Sequence, residues 1–227
     1  MSLDYDQLKK AQAGDAYAQC CLGWDYDNGI AVRKSFTRAA YWYRRAANQG
    51  NCIAQYNLSL SYLKAEGVEK SMVSSFHWNF KAAKVGHTDA ELAAGWFYHN
   101  GKGIRRDLIK AVTWYEKAAR KGNTSAMFSL GQIAFEKEDF KEAARWFLKA
   151  AKKDHPRSNY YLGRMFLHGW GVRPDPFRAR VFLKAATRLG VAYAKRLLLS
   201  QKLKRDLVQG NNVAVNHWRQ GALLPTI

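Results

Sequence analysis

GHTDAELAAGWFYHNGKGIRRDLIKAVTWYEKAARKG, residues 86–122, decides the fold, because sliding it along the chain in steps of 36 lays like residues on like. Its two end glycines belong to a series, Gly14, Gly50, Gly86 and Gly122; after a step of 32 Asp154 stands in, and Gly190 follows 36 later. Fixed self-similarity of that period marks a solenoid of stacked supersecondary units. In the same phase come Leu22-Gly23, Leu58-Ser59, Ala94-Gly95, Leu130-Gly131 and Leu162-Gly163, an apolar residue followed by a small one. A small side chain there lets two helices approach closely.

Four residues after each anchor stands Ala18, Ala54, Ala90, Ala126, Ser158 or Ala194, and twelve after it Tyr26, Tyr62, Tyr98, Ala134 or Phe166. Steps of four keep these side chains on one face, which predicts an amphipathic helix A. A glycine-rich turn follows, as in Gly29-Ile30-Ala31-Val32, Ala65-Glu66-Gly67-Val68, Gly101-Lys102-Gly103-Ile104 and Gly169-Trp170-Gly171-Val172. Glycine supplies the left-handed conformation that ends a helix. The fourth copy lacks this turn, leaving Glu138-Asp139 between its helices, which accounts for the short step. Helix B then carries Trp42, Trp78, Trp114, Trp146 or Phe182, followed by alanines such as Ala46-Ala47 and Ala118-Ala119, with Asp107 and Asp175 suited to helix starts. Large against small is how packed helices interdigitate.

The expected architecture is all-α: a single repeat domain over 1–227, with a lone capping helix in 1–13, repeats at 14–49, 50–85, 86–121, 122–153 and 154–189, and a degenerate copy at 190–227. In that last copy Leu199 takes the small position, while Trp218 and Ala222 keep phase and Leu223-Leu224 lie near the end. One half copy plus six copies makes about thirteen helices, more than the three repeats a continuous core needs.

The pattern running through these copies, seen almost entire from Ala90 to Gly122, resembles the Sel-one-like repeat family, relatives of the tetratricopeptide repeats. The likeness extends over nearly the whole chain. It implies a right-handed superhelix with helix A lining a concave surface and helix B outside, used as a protein-binding adaptor, with bacterial relatives in signalling, secretion and toxin immunity. It implies no catalysis. Secreted relatives pair cysteines across the two helices of a repeat; Cys20, Cys21 and Cys52 lack that spacing, which favours reduced thiols. With no signal-peptide pattern at the start and no apolar span of about 18 residues, a cytoplasmic protein is expected.

Chemistry-bearing motifs are scarce. Among His77, His87, His99, His155, His168 and His217 no pair is four apart and no HExxH occurs, so no metal and no cofactor is expected. Gly101-Lys102-Gly103 with Arg105-Arg106 is not a phosphate loop, because it lacks the GxxxxGK[ST] spacing and the repeat already explains both glycines. Cys20 has no base near it in sequence, and a non-enzymatic chain is expected.

The stripe of helix A at positions three, six, ten and thirteen after the anchor is the binding candidate. The residues singled out there are Tyr17, Trp24, Tyr56, Leu60, Trp96, His99, Phe128, Gln132, Arg157, Tyr160, Arg164 and Arg196. Contiguous exposed aromatics mark interfaces, and aromatics with arginine dominate binding energy. For position six, held by Tyr56, Leu92, Phe128 and Tyr160, packing between successive A helices is the competing reading. Position ten, with Trp24 and Trp96, is the firmer choice.

The net charge is +19, and it is uneven: residues 1–100 hold 11 Lys and Arg against 9 Asp and Glu, whereas residues 101–227 hold 26 against 9. The stripe likewise turns from aromatic to basic. This predicts an acidic protein or peptide as partner. The alternative is a nucleic acid or anionic surface, with arginines on phosphates and aromatics stacking on bases.

Overall fold

The computed structural model describes residues 5–200. They form α1 (Tyr5–Gln12), α2 (Ala16–Asn28), α3 (Phe36–Asn48), α4 (Cys52–Lys64), α5 (Met72–Lys84), α6 (Thr88–Asn100), α7 (Leu108–Arg120), α8 (Thr124–Glu136), α9 (Phe140–Ala151), α10 (Pro156–His168) and α11 (Pro176–Arg188). A twelfth helix, α12, covers 192–200, where the described residues end. No strand occurs among the described residues. The even helices α2 to α10 are the A helices, and the odd ones are the B helices. Trp218, Ala222, Leu223, Leu224 and most of the degenerate sixth copy lie outside the described residues.

Each helix from α2 to α11 starts where a polar side chain turns back on the first turn. Asp15, Asn51 and Asn123 accept from the backbone N–H of Ala18, Ala54 and Ala126, and Ser35, Ser71, Asp107 and Asp175 do the same for the B helices. Such a cap contributes about 1 kcal/mol. Two caps are imidazoles: His87 Nδ1 accepts from Ala90 N at 3.3 Å and His155 Nδ1 from Ser158 N at 3.2 Å.

Helix ends explain the glycine ladder. The anchors Gly14, Gly50, Gly86, Gly122 and Gly190 all take positive φ just past a B helix, and Asp154, their substitute, does so at +56°. At the A-helix ends Gly29, Gly101 and Gly169 are left-handed, and Ala65 adopts the same conformation at φ +63°. The second turn glycine has a stricter reason. A Cβ on Gly67, Gly103 or Gly171 would run into the backbone at Phe36, Met72 or Phe140, the first residue of the preceding B helix. Ala31 holds the corresponding place in the first copy. In the fourth copy the link from α8 to α9 is Lys137, Glu138 and Asp139, one residue more than the sequence suggested, with Glu138 at φ +60° and Asp139 capping α9.

The chain divides into two compact units, one reaching Leu130 and the other beginning at Gly131. Within the first, each A helix packs on its own B helix and each B helix on the next A helix, from α1 to α7. The second repeats the pattern, with α9 on α10 and α10 on α11. The small residues Ala18, Ala54, Ala90, Ala126, Ser158 and Ala194 are all buried. The helix B tryptophans are less deeply placed: Trp42, Trp78 and Trp146 are half-buried, and each carries a cation three residues on. Arg45 lies 5.3 Å from the Trp42 ring centre, Lys81 4.5 Å from Trp78, Lys117 4.0 Å from Trp114 and Lys149 4.2 Å from Trp146. A cation over the ring face adds electrostatic attraction to what burial supplies.

A polar tie crosses the hairpin in two of the first three repeats. Gln19 donates to Ala11 O and accepts from Gln49 Nε2 at 2.8 Å. In the same places Glu91, buried, accepts from Lys121 Nζ at 2.8 Å, and that ammonium also donates to Gly86 O. Between them Gln55 donates to Ala47 O, but the reaching residue is Val85, and Gln55 Oε1 has no partner among the described residues.

Candidate functional site

The close approach that the small residue of helix A permits is taken up by one side chain of helix B. A Cβ on Gly23 would lie 2.6 Å from the Tyr43 ring, and one on Gly95 2.5 Å from Tyr115. In the second unit Gly131 meets Phe147 and Gly163 meets Leu183 in the same way. The Tyr43 hydroxyl donates to Asp27 Oδ2 at 3.4 Å and also faces Asn57, and the Tyr115 hydroxyl faces Ser129, in each case the residue fourteen places on. Burial pushes the Tyr115 hydroxyl up to about 12, opposed by its hydrogen bond to Ser129. Burial raises Tyr43 further, helped by the charge of Asp27.

The second repeat changes all three positions together. Ser59 stands for the glycine, Asn79 for the tyrosine and Ala93 for the hydrogen-bonding residue. Ser75, one turn before Asn79, donates from Oγ to Ser59 O at 2.7 Å. Asn79 is 0% exposed, and among the described residues neither its Nδ2 nor its Oδ1 has a partner. An unmet buried group of this kind costs about 1–3 kcal/mol.

Ser59, Ser75 and Ala93 line an open pocket of about 290 Å³, whose other walls are Tyr56, Leu60, Leu63, Leu92, Trp96, Phe97 and Tyr115, with Asp89 and Ser129 completing it. All belong to the first unit. The pocket is mostly apolar, and the His87 ring stacks on Tyr56 at 4.9 Å.

Three of the singled-out residues therefore meet at one site: Tyr56, Leu60 and Trp96. Trp96 is 38% exposed, Trp24 at the same repeat position 50%, and Tyr17 71%. Tyr17 borders a separate, more polar depression with Asp6, Gln7 and Lys10. Position three is exposed in every copy, from Tyr17 through Ile53, Asp89, Ser125 and Arg157 to Tyr193. Phe128 is a correction. At 6% exposed it is core and presents no surface, and Cys20 at the same repeat position is buried too, so position six serves packing in those copies. His99 is half-buried with its ring edge toward Tyr115, 6.3 Å away, and its carbonyl accepts from Arg106 Nε; it does not line the pocket.

In the second unit Gln132 is half-buried, and Arg157 and Arg196 are exposed. Arg164 lies over Tyr160 at 5.8 Å and over Trp170 at 5.1 Å, and Tyr160 meets Tyr193 edge-on at 4.4 Å. None of these three arginines joins an ion pair among the described residues.

The Cys20 thiol is buried and pushed up to about 12, by burial first and then by the neighbouring Cys21 and Cys52, which makes it a weak nucleophile at neutral pH. Among the described residues no three His, Cys, Asp or Glu side chains gather to hold a metal ion, and no helix is long and apolar enough to cross a membrane. The Ser59–Asn79–Ala93 exchange was missed in the sequence. Its signal was there, in the phase of Tyr43, Asn79 and Tyr115 one residue after the tryptophans.

The Sel1 repeat model matches the chain five times, at residues 16–51, 52–87, 88–123, 124–155 and 156–191. Among solved structures, a Sel1 repeat protein from Oxalobacter formigenes is 30% identical, with a TM-score of 0.78 over 86% of this chain and 83% of its own. A protective antigen of uropathogenic Escherichia coli is also 30% identical, with a TM-score of 0.82 over 87% of this chain; this chain spans only 44% of that one. An immunity protein from Pseudomonas aeruginosa shares the fold at 16% identity, with a TM-score of 0.53 over 82% of this chain and 73% of its own. No curated protein matches.

Proposed function

This chain belongs to the Sel1 repeat family, whose repeats generally build protein-binding scaffolds, and from that premise we propose that it binds an acidic protein or peptide through the exposed stripe of its A helices. The observation that carries the reading is Trp96, part-exposed beside an apolar pocket, with Trp24 exposed at the same repeat position. Large aromatics held at the edge of a pocket are the residues that anchor partners. The +19 charge supports an acidic partner, as do Arg157, Arg164 and Arg196, none of which joins an ion pair among the described residues. One solved neighbour is an immunity protein, but at 16% identity that likeness supports the fold and carries nothing about a partner.

The test is capture of proteins by the full chain, compared with its Trp96→Ala and Arg164→Glu variants. Each variant is expected to weaken binding about tenfold or more, the usual effect of truncating an anchoring residue. Undiminished capture by both, or retention of mixed DNA and RNA at low salt with no protein captured, overturns the reading.

A further inference from the structure

Charge is uneven among the A helices themselves, and in the first unit its sign is opposite to that of the whole chain. There α2, α4 and α6 carry Asp25, Asp27, Asp89 and Glu91 against Lys64 alone, whereas α10 and the described part of α12 carry Arg157, Arg164, Lys195 and Arg196 and no carboxylate. Glu91 is paired with Lys121. Asp89 is exposed and joins no ion pair among the described residues. It is also the one charged side chain among the described residues that line the apolar pocket beside Trp96.

We infer that this pocket receives a lysine side chain of the bound partner, with the ammonium on the Asp89 carboxylate and the alkyl stem along the leucines. That the lysine belongs to a protein partner rests on the scaffold reading above; the preference of the pocket for an alkylammonium does not. Leu60, Leu63 and Leu92 offer apolar surface to the stem, since a lysine lays its methylenes on such residues while its charged end stays near water. Tyr56 and Trp96 stand in the same wall, and an ammonium over an aromatic face gains electrostatic attraction. Burial raises the pKa of the Tyr56 hydroxyl and the Asp89 charge raises it further, which sets the carboxylate on the Tyr56 side of the pocket. Asn123 Nδ2 donates to Asp89 Oδ1 at 3.4 Å, leaving Oδ2 for a ligand. One free oxygen suits the point charge of an ammonium, whereas a guanidinium gains most from two. The volume, about 290 Å³, is at the lower edge of small-molecule pockets and suits one extended side chain better than a larger ligand. An acidic protein also carries lysines, and the carboxylate of this pocket selects one of them.

The experiment titrates the full chain with butylammonium, butylguanidinium and 1-butanol at constant ionic strength, following amide shifts of Leu60, Leu92 and Ala93 by NMR. Butylammonium is expected to bind about threefold tighter than 1-butanol, the usual worth of a part-exposed ion pair, and no weaker than butylguanidinium. Asp89→Asn is expected to erase the preference for the cation while 1-butanol still binds. Asp25→Asn, the same change on α2 and outside the pocket, is expected to leave the preference intact. Equal affinity for butylammonium and 1-butanol in the unaltered chain overturns the inference, and this comparison needs no variant to fold. An unchanged preference in Asp89→Asn overturns it too, as does an equal loss in Asp25→Asn. Tighter binding of butylguanidinium overturns lysine in favour of arginine. Release of captured protein by butylammonium supports the partner's lysine as the source, and failure to release it overturns that source. A chain that prefers butylammonium but captures no protein supports the pocket chemistry and overturns the scaffold reading alone.

Discussion

Gln49, Val85 and Lys121 hold one repeat position, and what each offers decides whether the buried group opposite it gains a partner across the hairpin, although Glu91 Oε2 stays unpartnered among the described residues even with Lys121 on Oε1. Gln49 serves Gln19 and Lys121 serves Glu91, but Val85 leaves Gln55 Oε1 without a partner and is itself exposed. Val85→Gln is therefore expected to raise stability by about 1 kcal/mol, a shift of roughly 2–4 °C in the melting temperature read by calorimetry. These positions carry no obvious sign in the sequence. A glutamine or valine at a helix end looks ordinary until the helix it faces is known, which is why the small-residue ladder was legible and the polar tie was not. Phe128 was misread for a related reason: an aromatic at position six is half-buried in Tyr56 and Tyr160 but fully covered at 128, and helical phase alone does not separate the two.

The turns and caps show which local rules the fold cannot relax. Gly101 and Gly103 are both left-handed, at φ +64° and +68°, yet they differ in surroundings. Ala65 already occupies the place of Gly101 in the preceding copy, so Gly101→Ala is expected to cost about 1 kcal/mol. A methyl on Gly103 meets the backbone of Met72 as well, so Gly103→Ala is expected to cost at least about 3 kcal/mol; denaturant unfolding of the two variants distinguishes them. The imidazole caps bring a pH dependence. His87 and His155 accept through Nδ1 only when neutral, and burial holds both below the usual 6.5, against the pull of Asp89 and Glu91 on His87 and with the help of Arg157 at His155. The unfolded chain therefore takes up the proton first. Their contribution is complete above about pH 6.5 and is lost as pH falls through the lower folded values. Melting temperatures at pH 5 and pH 7.5 are expected to differ less in a His87→Asn, His155→Asn variant, because asparagine caps without titrating.

For the molecule as a whole, the 36-residue period made the helical repeat readable, since every copy must satisfy the same neighbours with the same small and large residues. The pocket was hidden because a copy departs from that rule in its lining, at Ser59 and Ala93, two residues unremarkable one at a time and 34 positions apart. The uneven charge was plain from composition, and its consequence is kinetic. Association with an acidic partner is expected to slow steeply between about 50 and 500 mM salt in stopped-flow measurements, with Trp96→Ala acting on dissociation instead. The α4–α5 hairpin lacks both the internal ring and the cross-hairpin tie that its neighbours α2–α3 and α6–α7 possess. Its amides are accordingly expected to exchange with solvent deuterium sooner than those of α6–α7, making this hairpin the place where the first unit breathes and the one that a captured ligand would quieten.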